Sequence, residues 1–134
     1  MAANVGWLKE TYMASQSPEF RTRQANPDNP GVEDIDPKEV WELKDKLKLI
    51  DVRRPDEFEG ELGHIPGAEL MVLDTLPQRL QELPADRTIL FICRSGARSG
   101  RAAAFAHQNG LPNAFNMKGG MISWNQLGLE IERP

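Results

Sequence analysis

Thr88-Ile89-Leu90-Phe91-Ile92-Cys93-Arg94-Ser95-Gly96-Ala97-Arg98-Ser99-Gly100-Arg101-Ala102-Ala103-Ala104-Phe105-Ala106 is the stretch that decides how this 134-residue chain is read. Thr88 to Ile92 form a continuous run of the kind expected for a strand covered on both faces by helices. Arg101 to Ala106 are Ala-rich and favour helix, and Gly110 stands where helices prefer a C-terminal glycine. Between them lies a short, polar, glycine-containing loop that begins at Cys93. A strand passing through such a loop into a helix is the repeating unit of α/β layer folds.

The neighbouring segments repeat the alternation. Upstream, Asp36 as N-cap, Pro37 at the first helical position, Glu39 at N3 and Val40, Leu43 and Leu47 at helical spacing predict a helix of roughly three turns. Leu47 to Val52, broken only by Lys48 and Asp51, predicts a strand that feeds a new helix near Pro55. His64-Ile65-Pro66-Gly67-Ala68 predicts a turn, Leu70 to Leu73 a strand, and Leu76, Leu80 and Leu83 a helix ending before Pro84. Ala114 to Met117 and Met121 to Leu127 predict a last strand and a closing helix. Parallel neighbours need crossover connections, so the expected fold is α/β with a mostly parallel central sheet of about five strands and helices on both faces. Ligands in such sheets bind at the carboxyl ends of strands, which here present Asp51-Val52-Arg53 and Cys93-Arg94-Ser95.

Residues 1–30 read as an N-terminal extension and 31–134 as the domain, because Ser15, Ser17, Pro18, Pro27, Asn29 and Pro30 interrupt any regular period. Trp7, Leu8, Tyr12 and Met13 stripe a short helix within the extension; a partly ordered tail is the alternative. The totals are those of an ordinary globular chain, 40% hydrophobic and 27% charged. A net charge of -4 gives no electrostatic footprint for nucleic acid or an anionic membrane surface. No apolar stretch approaches bilayer length, and the N-terminus lacks a basic region followed by an apolar one, so a cytoplasmic location is expected. His64 and His107 have no metal-ligand spacing around them, so neither metal nor cofactor is expected. A single cysteine excludes an internal disulfide and a resolving partner in the chain, so chemistry at Cys93 must finish on another molecule.

A cysteine between a buried strand and a helix N-terminus faces the unpaired amides of the first helical turn, which favour an anion. The helix dipole and the guanidinium groups of Arg94 and Arg98 act in the same sense, so Cys93 is expected to serve as a thiolate nucleophile. Gly96 lets the backbone curl so that successive N–H groups converge. Ser95 and Ser99 can add hydroxyl hydrogen bonds. A lone cysteine is commonly a buried core residue, but that reading leaves the Arg, Ser, Gly, Arg, Ser sequence beside it unexplained. For Arg94 a solvated surface role competes with substrate binding. For Arg98 two readings stay open, contact with an anionic substrate and a salt bridge to Asp51 or a Glu of the preceding loop.

Cys93-Arg94-Ser95-Gly96-Ala97-Arg98-Ser99 resembles the active-site loop of rhodanese domains, in the form found in thiosulfate-using members. Leu49-Ile50-Asp51-Val52-Arg53 with Glu57-Phe58, followed by Gly63-His64-Ile65-Pro66-Gly67-Ala68, is similar to the family's N-terminal signature. Phe115-Asn116-Met117-Lys118-Gly119-Gly120 with Trp124 is similar to its C-terminal one. The resemblance runs from about Val32 to Glu132 and implies a three-layer rhodanese-like fold. It also implies a sulfurtransferase in which Cys93 takes the sulfane sulfur of a small anionic donor such as thiosulfate, and passes it from a persulfide to a thiol, cyanide or an acceptor protein. Residues 94–99, that is Arg94, Ser95, Gly96, Ala97, Arg98 and Ser99, would bind substrate. Asp51 and Arg53 would brace the loop, and His64 would fix the turn before Pro66. A monomer or weak homodimer is expected.

Two other functions compete. Phosphatases and arsenate reductases also set Cys and Arg across an amide-lined loop, but place one more residue between them than the four separating Cys93 from Arg98. Their reaction also calls for a general acid, which the loop lacks. A non-catalytic or partner-specific sulfur-relay module is the other possibility; the retained cysteine and both arginines favour activity, and the partner-specific relay stays open.

Overall fold

The computed structural model describes residues 18–133. Its centre is a six-stranded sheet in the order β1-β2-β6-β5-β3-β4. The strands are β1 (Gln24–Ala25), β2 (Glu33–Ile35), β3 (Leu47–Asp51), β4 (Glu69–Leu70), β5 (Thr88–Ile92) and β6 (Ala114–Met117). Every pairing is parallel except that of β1 with β2 at one edge. The sheet is one strand larger than about five, and β4 is confined to Glu69–Leu70 instead of running from Leu70 to Leu73.

Among the described residues five α-helices complete the layers, α1 (Pro37–Leu43), α2 (Pro55–Phe58), α3 (Leu76–Arg79), α4 (Ala97–Gln108) and α5 (Gly120–Gln126). β5 is buried along its whole length, and its side chains alternate between two cores. Ile89, Phe91 and Cys93 join Ile50 and Val52 under Ala102, Ala103 and Ala106 of α4 and Leu76 of α3. Leu90 and Ile92 join Leu47 and Leu49 beneath Val40 of α1 and Met121 and Trp124 of α5. The alanines allow α4 to lie close to the sheet, which brings its first turn against the end of β5.

α1 is shorter than three turns, because Lys44–Lys46 tighten into a 3-10 turn before β3. Pro37 begins it as expected, but Asp36 makes no side-chain cap. Glu39 turns away from its own helix start. Its carboxylate accepts the Arg21 and Thr22 amides at 2.7 and 3.0 Å and the Thr22 hydroxyl, which itself accepts the Asp36 N–H at 3.1 Å.

These contacts tie down part of the segment read as an extension. Phe20 enters the core beside Phe115, with ring centroids 5.0 Å apart, and Gln24–Ala25 form the antiparallel edge of the sheet. The helix expected around Trp7 to Met13 lies outside the described residues. No helix among the described residues is long and apolar enough to cross a membrane. Among them there is also no group of three or more His, Cys, Asp or Glu arranged to hold a metal ion.

Candidate active site

Cys93 directly follows β5, with its side chain on the α4 face of the sheet, and is only 1% exposed. Gly96, at φ +100°, precedes α4 and turns its N–H onto the Cys93 sulfur at 3.1 Å. A Cβ there would meet only ordinary contacts, at 3.4 Å or more, so the left-handed conformation is what selects glycine at this position. The Ser99 hydroxyl lies 3.2 Å from the same sulfur and 2.5 Å from Asn116 Oδ1.

The outside of the loop explains the orientation of the inside. The Cys93 carbonyl accepts from the Met121 N–H at 2.9 Å and the Arg94 carbonyl from the Ile122 N–H at 3.0 Å. In a planar trans peptide the N–H points opposite to the C=O, so the amides of Arg94 and Ser95 face away from α5. Gly120 makes this approach possible. A Cβ on it would lie 2.4 Å from the Arg94 oxygen and 2.5 Å from the Cys93 oxygen, at a φ of +59°. The Gly119-Gly120 pair therefore brings α5 against the sulfur loop.

The two arginines of the loop have different surroundings. Arg98 sends Nη1 and Nη2 to the two oxygens of Glu57 at 2.7 and 2.8 Å. The salt-bridge partner is thus neither Asp51 nor a Glu of the preceding loop but Glu57 of helix α2, 41 residues back in the sequence. Glu57 also accepts the Arg54 amide at 3.2 Å. The hydrogen bonds from Arg98 come first among the causes that hold its carboxyl down at about 2, against an ordinary 4.5. The same ion pair raises the Arg98 guanidinium above its ordinary value, helped by the nearby Cys93 and Asp51. Arg94 is exposed and has no ion-pair partner among the described residues. It borders a cleft of about 170 Å³ with Arg53, Asp56, Glu57, Gly60 and Leu62. Ser95 and Ala97 are exposed on the loop and line a second cleft, of about 200 Å³, on the Asn116 side.

Asp51 and Arg53 form a fully buried pair at 2.8 Å, and Arg53 Nη2 donates to the Gly63 carbonyl at 2.7 Å. Their side-chain hydrogen bonds run to one another, to the Arg53 amide and to the Gly63 carbonyl, not to the Cys93 loop that they were expected to brace. His64 shares a hydrogen bond of 2.9 Å between Nδ1 and the Phe58 carbonyl, and stacks on the Phe58 ring at 3.7 Å. Its backbone pairs with Glu132, so it ties α2 to the segment that follows α5.

Three residues of this site had no role in the sequence reading. Glu57 and Asn116 lay inside quoted motifs, and Asp34, whose Oδ1 accepts Asn116 Nδ2 at 2.9 Å, in none. A polar residue within the otherwise apolar run of β6 was the available signal for Asn116. Nothing local marks Asp34, whose partners are remote in sequence.

A family model described as the Rhodanese-like domain matches residues 36–127. The chain is 46% identical over 79 residues to the uncharacterized protein YqhL of Bacillus subtilis, across 59% of this chain and 61% of that one, so it spans about three fifths of that relative's length. It is 41% identical over 86 residues to a sulfurtransferase of Allochromatium vinosum, covering 64% of this chain and 78% of the relative. It is 30% identical over 98 residues to the thiosulfate sulfurtransferase GlpE of Pseudoalteromonas translucida, covering 71% and 91%. Among solved structures, a rhodanese-related protein from Thermoplasma volcanium superposes with a TM-score of 0.68 at 29% identity, over 72% of this chain and 94% of that chain.

Two outcomes are expected from this geometry. Gly120→Ala places a Cβ against backbone oxygens that cannot yield without moving the loop, so sulfur transfer should fall on the order of 10²-fold, as for an ångström-scale misplacement of a reacting group. Unchanged turnover in a folded Gly120→Ala chain would show that α5 does not set the loop. For Glu57, the folded value lies below the unfolded one, so its contribution to stability is complete above pH 4.5 and is lost as pH falls toward about 2. Thermal unfolding followed across that window should show a steeper decline for the parent chain than for Glu57→Gln, which should already be the less stable at neutral pH.

Proposed function

The chain belongs to the rhodanese-like domain family, and from that membership we propose that it moves sulfane sulfur from an anionic donor such as thiosulfate to a thiol or cyanide through a persulfide on Cys93. Relatives named as sulfurtransferases support sulfur transfer in general. The observation that carries the finer reading is the single sulfur at the end of β5, with an amide and a hydroxyl close to it and the carbonyls of its loop turned outward.

In the first half-reaction the Cys93 thiolate attacks the outer sulfur of thiosulfate. A new S–S bond forms to Cys93, the donor's S–S bond breaks, and sulfite leaves with that electron pair. The persulfide carries its charge on the outer sulfur, where the outward-turned carbonyls leave amide N–H groups as the neighbouring dipoles. In the second half-reaction an acceptor thiolate or cyanide attacks the outer sulfur, and Cys93 leaves as thiolate. Only the outer sulfur need be reached by the acceptor, which accords with the deep burial of Cys93 itself.

Arg94 is assigned to recognition of the anionic donor, because its guanidinium is exposed at the loop while that of Arg98 is engaged on both oxygens of Glu57. Arg98 then acts as a brace that ties the start of α4 to α2. Ser95 and Ala97 take part through the exposed face of the loop, and Gly96 and Ser99 through the sulfur itself. The lack of a general acid in the loop costs this reaction nothing, since sulfite and thiolate both leave as stable anions.

Steady-state kinetics with thiosulfate and cyanide test the reading. Parallel double-reciprocal lines are expected, with no thiocyanate formed by Cys93→Ala. Arg94→Ala should raise the KM for thiosulfate by about tenfold, the scale of one charge-assisted hydrogen bond, and leave that for cyanide nearly unchanged. Intersecting lines, or turnover that survives Cys93→Ala, would overturn the persulfide cycle.

A further inference from the structure

Ser99 has one hydroxyl proton and two neighbours placed to receive it, the Cys93 sulfur at 3.2 Å and Asn116 Oδ1 at 2.5 Å. Which of them receives it depends on how the Asn116 amide is turned. The other end of that amide faces Asp34, whose Oδ1 accepts Asn116 Nδ2 at 2.9 Å and Asn26 Nδ2 also at 2.9 Å. A carboxylate oxygen offers only acceptors, so it fixes Asn116 with the NH₂ toward Asp34 and the carbonyl oxygen toward Ser99. The arrangement is enclosed, with Asp34 7% exposed, Asn116 2% and Ser99 0%. Gly100 provides the gap in which it sits, since a Cβ there would lie 2.9 Å from Asn29 Nδ2 and 3.2 Å from Asn26 Nδ2.

We propose that Asp34 is a positioning residue for Cys93, acting through Asn116 to claim the Ser99 hydroxyl proton and leave a Ser99 lone pair facing the sulfur. Gly96 N–H is then the donor aligned on Cys93 Sγ, while the Ser99 hydroxyl, 3.2 Å from the sulfur, gives its proton to Asn116 Oδ1 at 2.5 Å. Loss of the Asp34 anchor frees Asn116 to turn its NH₂ toward Ser99. The hydroxyl proton is released to the sulfur, where a donor favours the anionic form. The inference rests on Cys93 as the reacting sulfur, but alkylation reports on that sulfur whether or not thiosulfate loads it.

The test is the rate of Cys93 alkylation by iodoacetamide at neutral pH in the full chain, for Asp34→Ala and Asp34→Asn, each with and without Ser99→Ala. Asp34→Ala should raise the rate about three- to tenfold, the scale of one net hydrogen bond to the thiolate. Asp34→Asn keeps an oxygen acceptor for Asn116 and should stay within about twofold of the parent, well under one such hydrogen bond. In the Ser99→Ala background the effect of Asp34→Ala should vanish. An equal rise in both Asp34 variants would assign the effect to charge and not to direction. A rise that survives Ser99→Ala would assign it to access. No rise in Asp34→Ala would also overturn the proposal. Should Asp34→Ala fail to fold, Asn116→Ala takes its place, with the same rise expected and the same dependence on Ser99.

Discussion

Two backbone carbonyls, those of Cys93 and Arg94, are held by the first amides of α5, and the orientation of the loop's own amides depends on that contact. Planar peptides turn their N–H groups opposite to their oxygens, so anchoring the oxygens on the outside presents donors on the inside. The contact exists because Gly119 and Gly120 adopt left-handed conformations and Gly120 carries no Cβ to meet the loop oxygens. α5 in turn is held by the burial of Met121 and Trp124 against the sheet. The core on one face of the sheet thereby positions the loop whose sulfur lies on the other face.

Electrostatic support arrives from a separate direction. Arg98 couples the start of α4 to α2 through Glu57, and the buried Asp51–Arg53 pair holds the turn at Gly63 that follows α2. A buried pair of this kind contributes little net stability over an apolar replacement, but breaking it strands a charge, so its value lies in fixing one geometry. The site thus combines a rigid floor, in β5 and α4, with a rim whose free cation is Arg94 among the arginines of the loop.

The stretch from Thr88 to Ala106 was readable because strand, loop and helix are contiguous and each carries its own local signal. β1 and β2 gave none, since Gln24–Ala25 and Glu33–Ile35 are short, partly exposed and joined to the sheet by backbone pairing. Glu39 matched a capping pattern, yet its partners are Arg21 and Thr22, which a local rule does not see. Cys93 and Ser99 could be placed by position alone. The role of Arg98 could not, because Glu57 is 41 residues away in sequence, and Asn116 meets Asp34 across 82. Local periodicity thus gave the elements and the sulfur, while the side-chain network behind the sulfur came from tertiary pairing between strands and loops remote in sequence.

The central claim is that one sulfur, held by this loop, carries the transferred atom. Mass spectrometry of the intact chain after incubation with thiosulfate measures it directly. The account predicts a single added sulfur atom, removed by cyanide and absent from Cys93→Ala. No adduct on the parent chain, or an adduct that persists in Cys93→Ala, would contradict it.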